Sequence, residues 1–326
     1  MEDYARFVLD DAGLSEAAKQ IRHGLASAIS AAGLNEILRS RDIVHDVGRD
    51  VTTPQEYRRA GTADVLAAAG KRLSEALRVI EKYGKTIAPE FGRAVEQLRY
   101  RGYDLEKRLA GCVEAARRFG EVRLYVLLTQ ALCAGDWFET ARAAIDGGAD
   151  CLQLREKTLP DRELLNRAGR LSGLCRDHGV LCIVNDRADM ALACHADGMH
   201  VGQDDLGVRD ARRILGPSPL IGISTHTVEQ ATAAVADAPD YVAVGPMFAT
   251  TTKPREHVPG PALITQVRCV TSLPLVAVGG ITPENVSQVM AAGVRCVCVC
   301  VCAAVISQAN VADAARALKR VLQATG

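Results

Sequence analysis

Gln153, Arg155 and Lys157 alternate along the run "CLQLREKTLP" at 151–160. Residues two apart in a β-strand share a face, so this spacing aims an amide and two cations to one side at the end of an otherwise apolar segment. An arginine fork and a lysine point charge both suit phosphate oxygens. Further on come Asn185 and Asp186 in "IVNDRAD", Asp204 and Asp205 in "HVGQDD", and Ser224 in "GISTHT". Then follow Thr250, Thr251, Thr252 and Lys253 in "GPMFATTTKP", and Gly279 and Gly280 in "VGGITPEN". The donors Gln153, Arg155, Lys157 and Asn185 could satisfy the many oxygens of a diphosphate. Asp186 and Asp205 beside such an anion imply Mg²⁺, which commonly takes one or two carboxylates plus substrate phosphate oxygens. The plainer alternatives are an ion pair of either Asp with Arg155, solvated loop lysines, and an ordinary tight turn at the two glycines.

These groups need a common scaffold. Strand-like runs fall at 124–129, 151–155, 181–185, 198–201, 220–224, 241–245, 275–279 and 297–302, with helical or linking segments between them. Eight such alternations in about 200 residues suggest a closed (β/α)8 TIM barrel. An open doubly wound sheet is the alternative, weakened because no G-x-G-x-x-G follows the first strand. In a barrel of this kind the C-terminal strand ends form the active face. The polar sets above all fall at that face. A second anion site is expected from strands seven and eight, where glycines admit close backbone approach, with Thr282 expected to cap the following helix. Of the lysines in 121–326, Lys157 and Lys253 lie on strand-end loops and Lys319 does not. His200 and His226 read as structural, since nothing pairs them with a nucleophile.

Residues 1–118 read as an all-α N-terminal domain and 119–326 as the barrel domain. The helical part holds a degenerate duplication. Glu2 and Tyr4 match Glu81 and Tyr83, and Ile21-Arg22 match Leu98-Arg99. The second copy is preceded by a full helix and the first by nothing, so the natural start is expected upstream of Met1. Clustered charges in "RDIVHDVGRD" read as a solvated loop.

The chain has 326 residues and a formal net charge of zero, which implies no general attraction to nucleic acid or anionic membrane. No stretch is long and apolar enough for a membrane helix. Eleven cysteines, without secreted-domain spacing, suit a reducing cytoplasm. In "CVCVCVC", Cys296, Cys298, Cys300 and Cys302 repeat at a period of two. A straight strand spaces them about 6.5–7 Å apart, too far to converge on one zinc ion. Packing as small core residues is expected.

Taken together, "QLREK", "VNDRAD", "GMHVGQDD", "GISTHT", "VGPMFATTTK" and "VGGITPEN" resemble the thiamine-phosphate synthase family over about 121–326. That resemblance implies condensation of an aminomethylpyrimidine diphosphate with a methylthiazole ethyl phosphate, giving thiamine phosphate and pyrophosphate. It puts the diphosphate substrate on Gln153, Leu154, Arg155, Glu156, Lys157 and Asn185, with Ser224 and Lys253. Arg155, Lys157, Ser224 and Lys253 would be the catalytic groups. Mg²⁺ would go to Asp186 and Asp205. The thiazole phosphate would go to Thr250, Thr251, Thr252, Gly280 and the strand-eight end, with Val301 and Cys302 as the matching amides. That end departs from the family's usual small motif closing in Val/Ile-Ser. The helical part resembles an N-terminal extension of some members. The implied partners are small molecules, with no nucleic acid or membrane and with self-association left open. The alternatives are a thiazole tautomerase-like barrel and a non-catalytic phosphate-ligand sensor.

Overall fold

A computed structural model describes residues 1–34, 45, 58–250, 258–292 and 297–324, with side chains 297, 298 and 300 not described. The chain divides into two compact units, Met1–Val113 and Glu114–Gly326.

The first unit is helical: α1 (Glu2–Phe7), α2 (Ala12–Ala31), α3 (Thr62–Ile87) and α4 (Pro89–Gly120), the last running on into the second unit. Asp11 caps α2 by accepting from the Leu14 amide at 2.7 Å, which satisfies one of the orphan donors of a helix start. The apolar stripes of α2, α3 and α4 meet through Leu14, Ile21, Leu77, Val95, Leu98 and Leu105. Gly24 lets Leu98 close in: a Cβ there would lie 2.7 Å from its methyl. The paired residues of the duplication form equivalent contacts. Glu2 pairs with Arg22 at 3.3 Å and Glu81 with Arg99 at 2.6 Å. The charged run at 41–50 lies outside the described residues apart from His45.

The second unit alternates strand and helix. Its strands are β1 (Leu124–Leu128), β2 (Cys151–Leu154), β3 (Leu181–Asn185), β4 (Gly198–Val201), β5 (Leu220–Thr225), β6 (Tyr241–Val244), β7 (Leu275–Val278) and β8 (Val297–Val301). Each pairs in parallel with the next, and β8 pairs back with β1, so the sheet closes on itself. The helices are α5 (Trp137–Asp146), α6 (Asp161–Asp177), α7 (Ala188–Ala193), α8 (Val208–Leu215), α9 (Val228–Val235), α10 (Ala262–Arg268), α11 (Val286–Ala291), α12 (Ala303–Ile306) and α13 (Val311–Ala324).

Period-two alternation builds two cores from these strands. Leu152, Leu154, Val184, Val201, Ile221 and Val244 face outward and pack with the helices. Tyr125, Cys151, Ile183, Leu220, Tyr241 and Val276 face the lumen. Phe119 and Val122 join the lumen cluster and fill its N-terminal end. Gly222 makes room for the Tyr241 ring, since a Cβ there would lie 2.0 Å from it. The reading of "CVCVCVC" is untested over Cys296 and the side chains of Cys298 and Cys300, which lie outside the described residues.

Candidate active site at the barrel mouth

A cavity of about 550 Å³ opens at the C-terminal ends of the strands. Gln153 lines it from β2 and Arg155 and Lys157 from the loop that follows; Asn185 lines it from the end of β3 and Asp186 from just beyond, Asp205 from the β4 loop and Ser224 from β5. The amide and both cations of "CLQLREKTLP" thus border one cavity, although β2 ends at Leu154 and the loop, not the strand period, brings Arg155 and Lys157 there.

Two residues of the expected substrate set turn their side chains elsewhere. Leu154 faces outward, 1% exposed, in the core beneath the helices. Glu156 accepts from the Gln130 amide at 2.8 Å and pairs with Arg167 at 3.5 Å. Its carboxylate ties the end of β2 to the loop after β1 and to α6. Neither side chain borders the cavity.

At the rim, Lys157 and Asp186 form an ion pair. Asp186 sits at a positive φ of 63°, a region that L residues other than Asn and Asp seldom enter. Burial raises its carboxyl above the usual range; Lys157 pulls it down and the neighbouring Asp205 pushes it up again. The Asp205 carboxylate also accepts from the Gly202 amide at 2.8 Å. Two carboxylates this close favour a shared proton or a bound cation. Among the described residues, no group of three or more His, Cys, Asp or Glu could hold a metal unaided.

The floor is interlinked by hydrogen bonds. The Gln153 side-chain amide donates to the Tyr125 hydroxyl at 2.6 Å. Tyr125 and Tyr241 share a hydrogen bond at 3.1 Å across the lumen. The Tyr241 hydroxyl lies 3.1 Å from His200 Nδ1, and His200 Nε2 lies 2.8 Å from Ser224 Oγ. Gln203 donates to the Ser224 carbonyl at 2.7 Å. Sequence reasoning missed the tyrosines and set His200 aside as structural. The available signal was a hydroxyl-bearing aromatic at lumen-facing positions of two apolar strands, where a buried hydroxyl demands a partner.

On the far wall, Thr250, Gly280, Val301 and Cys302 border the cavity. Thr251, Thr252 and Lys253 lie outside the described residues. Gly279 and Gly280 have φ of 100° and 66°. A Cβ on Gly280 would meet the Ala249 carbonyl at 2.5 Å, so the turn itself demands glycine. Thr282 does not cap a helix. Its amide donates to the Asn285 side chain at 2.8 Å, and α11 begins only at Val286. The Val301 side chain packs in the outer core, leaving its backbone at the rim. Burial pushes the Cys302 thiol up to about 11, against the pull of nearby Arg155.

Comparison with known proteins bears on both units. Residues 124–303 match the family model described as thiamine monophosphate synthase, and residues 1–108 match the ThiD2 family. A thiamine-phosphate synthase of Rhodopirellula baltica is 39% identical over 303 residues, covering 90% of this chain and 81% of that protein. One from Synechocystis is 38% identical over 293 residues, covering 90% and 83%. The solved thiamine phosphate pyrophosphorylase of Pyrococcus furiosus superposes with a TM-score of 0.59 at 31% identity, covering 64% of this chain and 98% of that one.

Proposed function

The chain belongs to the thiamine-phosphate synthase family, and from that premise we propose how its barrel mouth makes thiamine phosphate. The reading treats Glu114–Gly326 as a complete (β/α)8 TIM barrel carrying catalysis, with the helical unit as a separate N-terminal domain. The observation that carries it is the convergence of Arg155, Lys157 and Asn185 with Asp186 and Asp205 on one cavity. Three strands and their loops contribute this set, and no structural duty accounts for the whole of it there.

The substrates are a pyrimidine methyl diphosphate and a thiazole ethyl phosphate. The methylene carbon–oxygen bond to the diphosphate breaks, and both electrons leave with oxygen. Arg155 and Lys157 stabilise the negative charge that grows on the leaving group. The Asn185 amide and the Ser224 hydroxyl orient its oxygens. The thiazole ring nitrogen then supplies an electron pair to the methylene carbon. That nitrogen has no proton to lose, so the step calls for no general base. The lumen wall of Gln153, Tyr125 and His200 holds the aminopyrimidine end away from bulk water.

The adjoining carboxylates of Asp186 and Asp205 suit Mg²⁺, whose remaining ligands would be diphosphate oxygens. When bound, the ion supplies Lewis-acid neutralisation of the departing diphosphate. Lys157 would then exchange part of its contact with Asp186 for the diphosphate. The far wall, with Thr250, Gly280 and the β8 end, is the proposed seat of the thiazole phosphate. We also place the protein in the cytoplasm, on the support of its unframed cysteines.

Incubating the full chain with both substrates, with and without Mg²⁺, tests this reading. Equal amounts of thiamine phosphate and pyrophosphate are expected, and chelation with EDTA should stop their formation until Mg²⁺ is restored. Tight binding of both substrates without product would sink the enzymatic reading. Undiminished turnover in EDTA would remove the metal.

A further inference from the structure

Glu156 separates the two cations of the mouth, yet its side chain stays out of the cavity that they border. We propose that Glu156 is the positioning residue for Lys157: it anchors the loop after β2 so that the ammonium group meets the diphosphate. The idea rests on the reading of Lys157 as a group that stabilises the leaving diphosphate.

The sheet stops holding the chain at Leu154, the last residue of β2. Arg155 is nevertheless fixed through its main chain. Its amide donates to the Leu128 carbonyl at 2.9 Å, and its carbonyl accepts from the Thr129 hydroxyl at 2.8 Å. Both bonds tie it to the end of β1. One residue on, a side chain takes over from the main chain. The Glu156 carboxylate accepts from the Gln130 backbone amide at 2.8 Å and lies 3.5 Å from the Arg167 guanidinium. The direction of these contacts is set by chemistry, since an amide N–H and a guanidinium can only donate.

The anchor is itself held. Arg167 lies on α6, where its Nε donates to Glu163 at 3.0 Å. Its guanidinium stands 5.3 Å from the ring centre of the buried Trp137 on α5. The Glu156 side chain, 8% exposed, is thus held between the loop after β1 and α6. A carboxylate so far out of water needs such partners. Lys157 follows directly and differs in kind. Its side chain is 47% exposed and rides on a flexible four-carbon stem. Packing does not fix such an ammonium group; the place of its backbone does, and Glu156 is the neighbour that sets it.

The test uses three variants of the full chain: Glu156→Ala, Glu156→Gln, and Glu156→Ala combined with Lys157→Ala. Glu156→Ala should lower kcat at least about ten-fold, since misplacing a catalytic group by about 1 Å can cost about 100-fold. KM for the thiazole phosphate should stay put, because its proposed seat is on the far wall. Glu156→Gln keeps an oxygen for the Gln130 amide and should bring kcat back to within about three-fold of the wild type. Glu156→Asp keeps the charge but stops one methylene short of Gln130, and it should show the loss should Glu156→Ala fail to fold. In the Lys157→Ala background, Glu156→Ala should cost less than about two-fold more, because the group that it positions is gone. That coupling separates positioning from stability: a mere loss of folded molecules would cost the same on either background. Unchanged kcat in Glu156→Ala would overturn the proposal. So would its full penalty in the Lys157→Ala background, or a Glu156→Gln no better than Glu156→Ala. If Lys157→Ala alone keeps full turnover, the diphosphate reading itself has failed and the positioning role falls with it.

Discussion

At the N-terminal ends of the strands, three aspartates sit one residue before β2, β4 and β6. Asp150 accepts from the Leu124 amide at 2.8 Å and pairs with Lys319. Asp197 accepts from the Cys182 amide at 2.9 Å and pairs with Arg118 at 2.6 Å. Asp240 accepts from the Ile221 amide at 2.6 Å and pairs with Arg212. At the C-terminal ends, two aspartates crowd each other instead, beside cations that gather around an open cavity. The same residue types are used at both ends. At the bottom each carboxylate has its own backbone donor and its own cation, which is how stability is built. At the mouth, Asp186 pairs with Lys157 and Asp205 accepts from the Gly202 amide, yet the two like charges are still brought together beside an open cavity.

The largest expected effect tests the mouth. Lys157→Ala should lower turnover at least about 100-fold, because it removes a cation that stabilises charge developing in the transition state. The far-ultraviolet circular dichroism should match the wild type. Equal turnover in the purified variant would show that the rim cation is no more than the partner of Asp186.

The next tests the bottom. Asp197→Ala leaves the buried Cys182 amide without its acceptor and should cost about 1–3 kcal/mol in a denaturant titration. Turnover per folded molecule should be unchanged. A variant that kept its stability but lost activity would erase the division between the two ends.

How far this division could be read from sequence depends on how local each signal is. The period-two rule set Gln153, Arg155 and Lys157 apart from Leu154 and Glu156; all three border the cavity, but β2 ends at Leu154 and a loop carries the two cations there. The wider set, carried over from the family resemblance, included Leu154 and Glu156, whose side chains do not border the cavity. The eight strands were legible because alternation with helical segments is a local pattern. The floor was not. Tyr125 and Tyr241 bond across the lumen from β1 and β6, which are not neighbours in the sheet. Nothing in either strand's own sequence reports the partner opposite. The aspartate ring escaped notice for another reason: an Asp ahead of a strand looks like an ordinary turn residue. Lys319, noted only as a lysine away from the strand-end loops, belongs to that ring. In the helical unit, the matched positions of the expected duplication each hold an ion pair, Glu2 with Arg22 and Glu81 with Arg99.

The smallest effect expected concerns Cys302, at the end of β8. The proposed contact there is a backbone amide, so Cys302→Ser should change turnover by no more than about two-fold, under 0.5 kcal/mol of barrier. The thiol still reports on the mouth's field. Burial pushes it up to about 11 while Arg155 pulls it down. Below that value the group is a neutral thiol, and only the thiolate attacks an alkylating agent. Iodoacetamide labelling of Cys302, followed by peptide mass spectrometry, should therefore be slow at neutral pH and accelerate as pH climbs toward 11. Rapid labelling near pH 7 would mean that the Arg155 field outweighs burial. The mouth would then be more strongly electropositive than its paired rim suggests, and the contrast with the neutralised bottom would be sharper still.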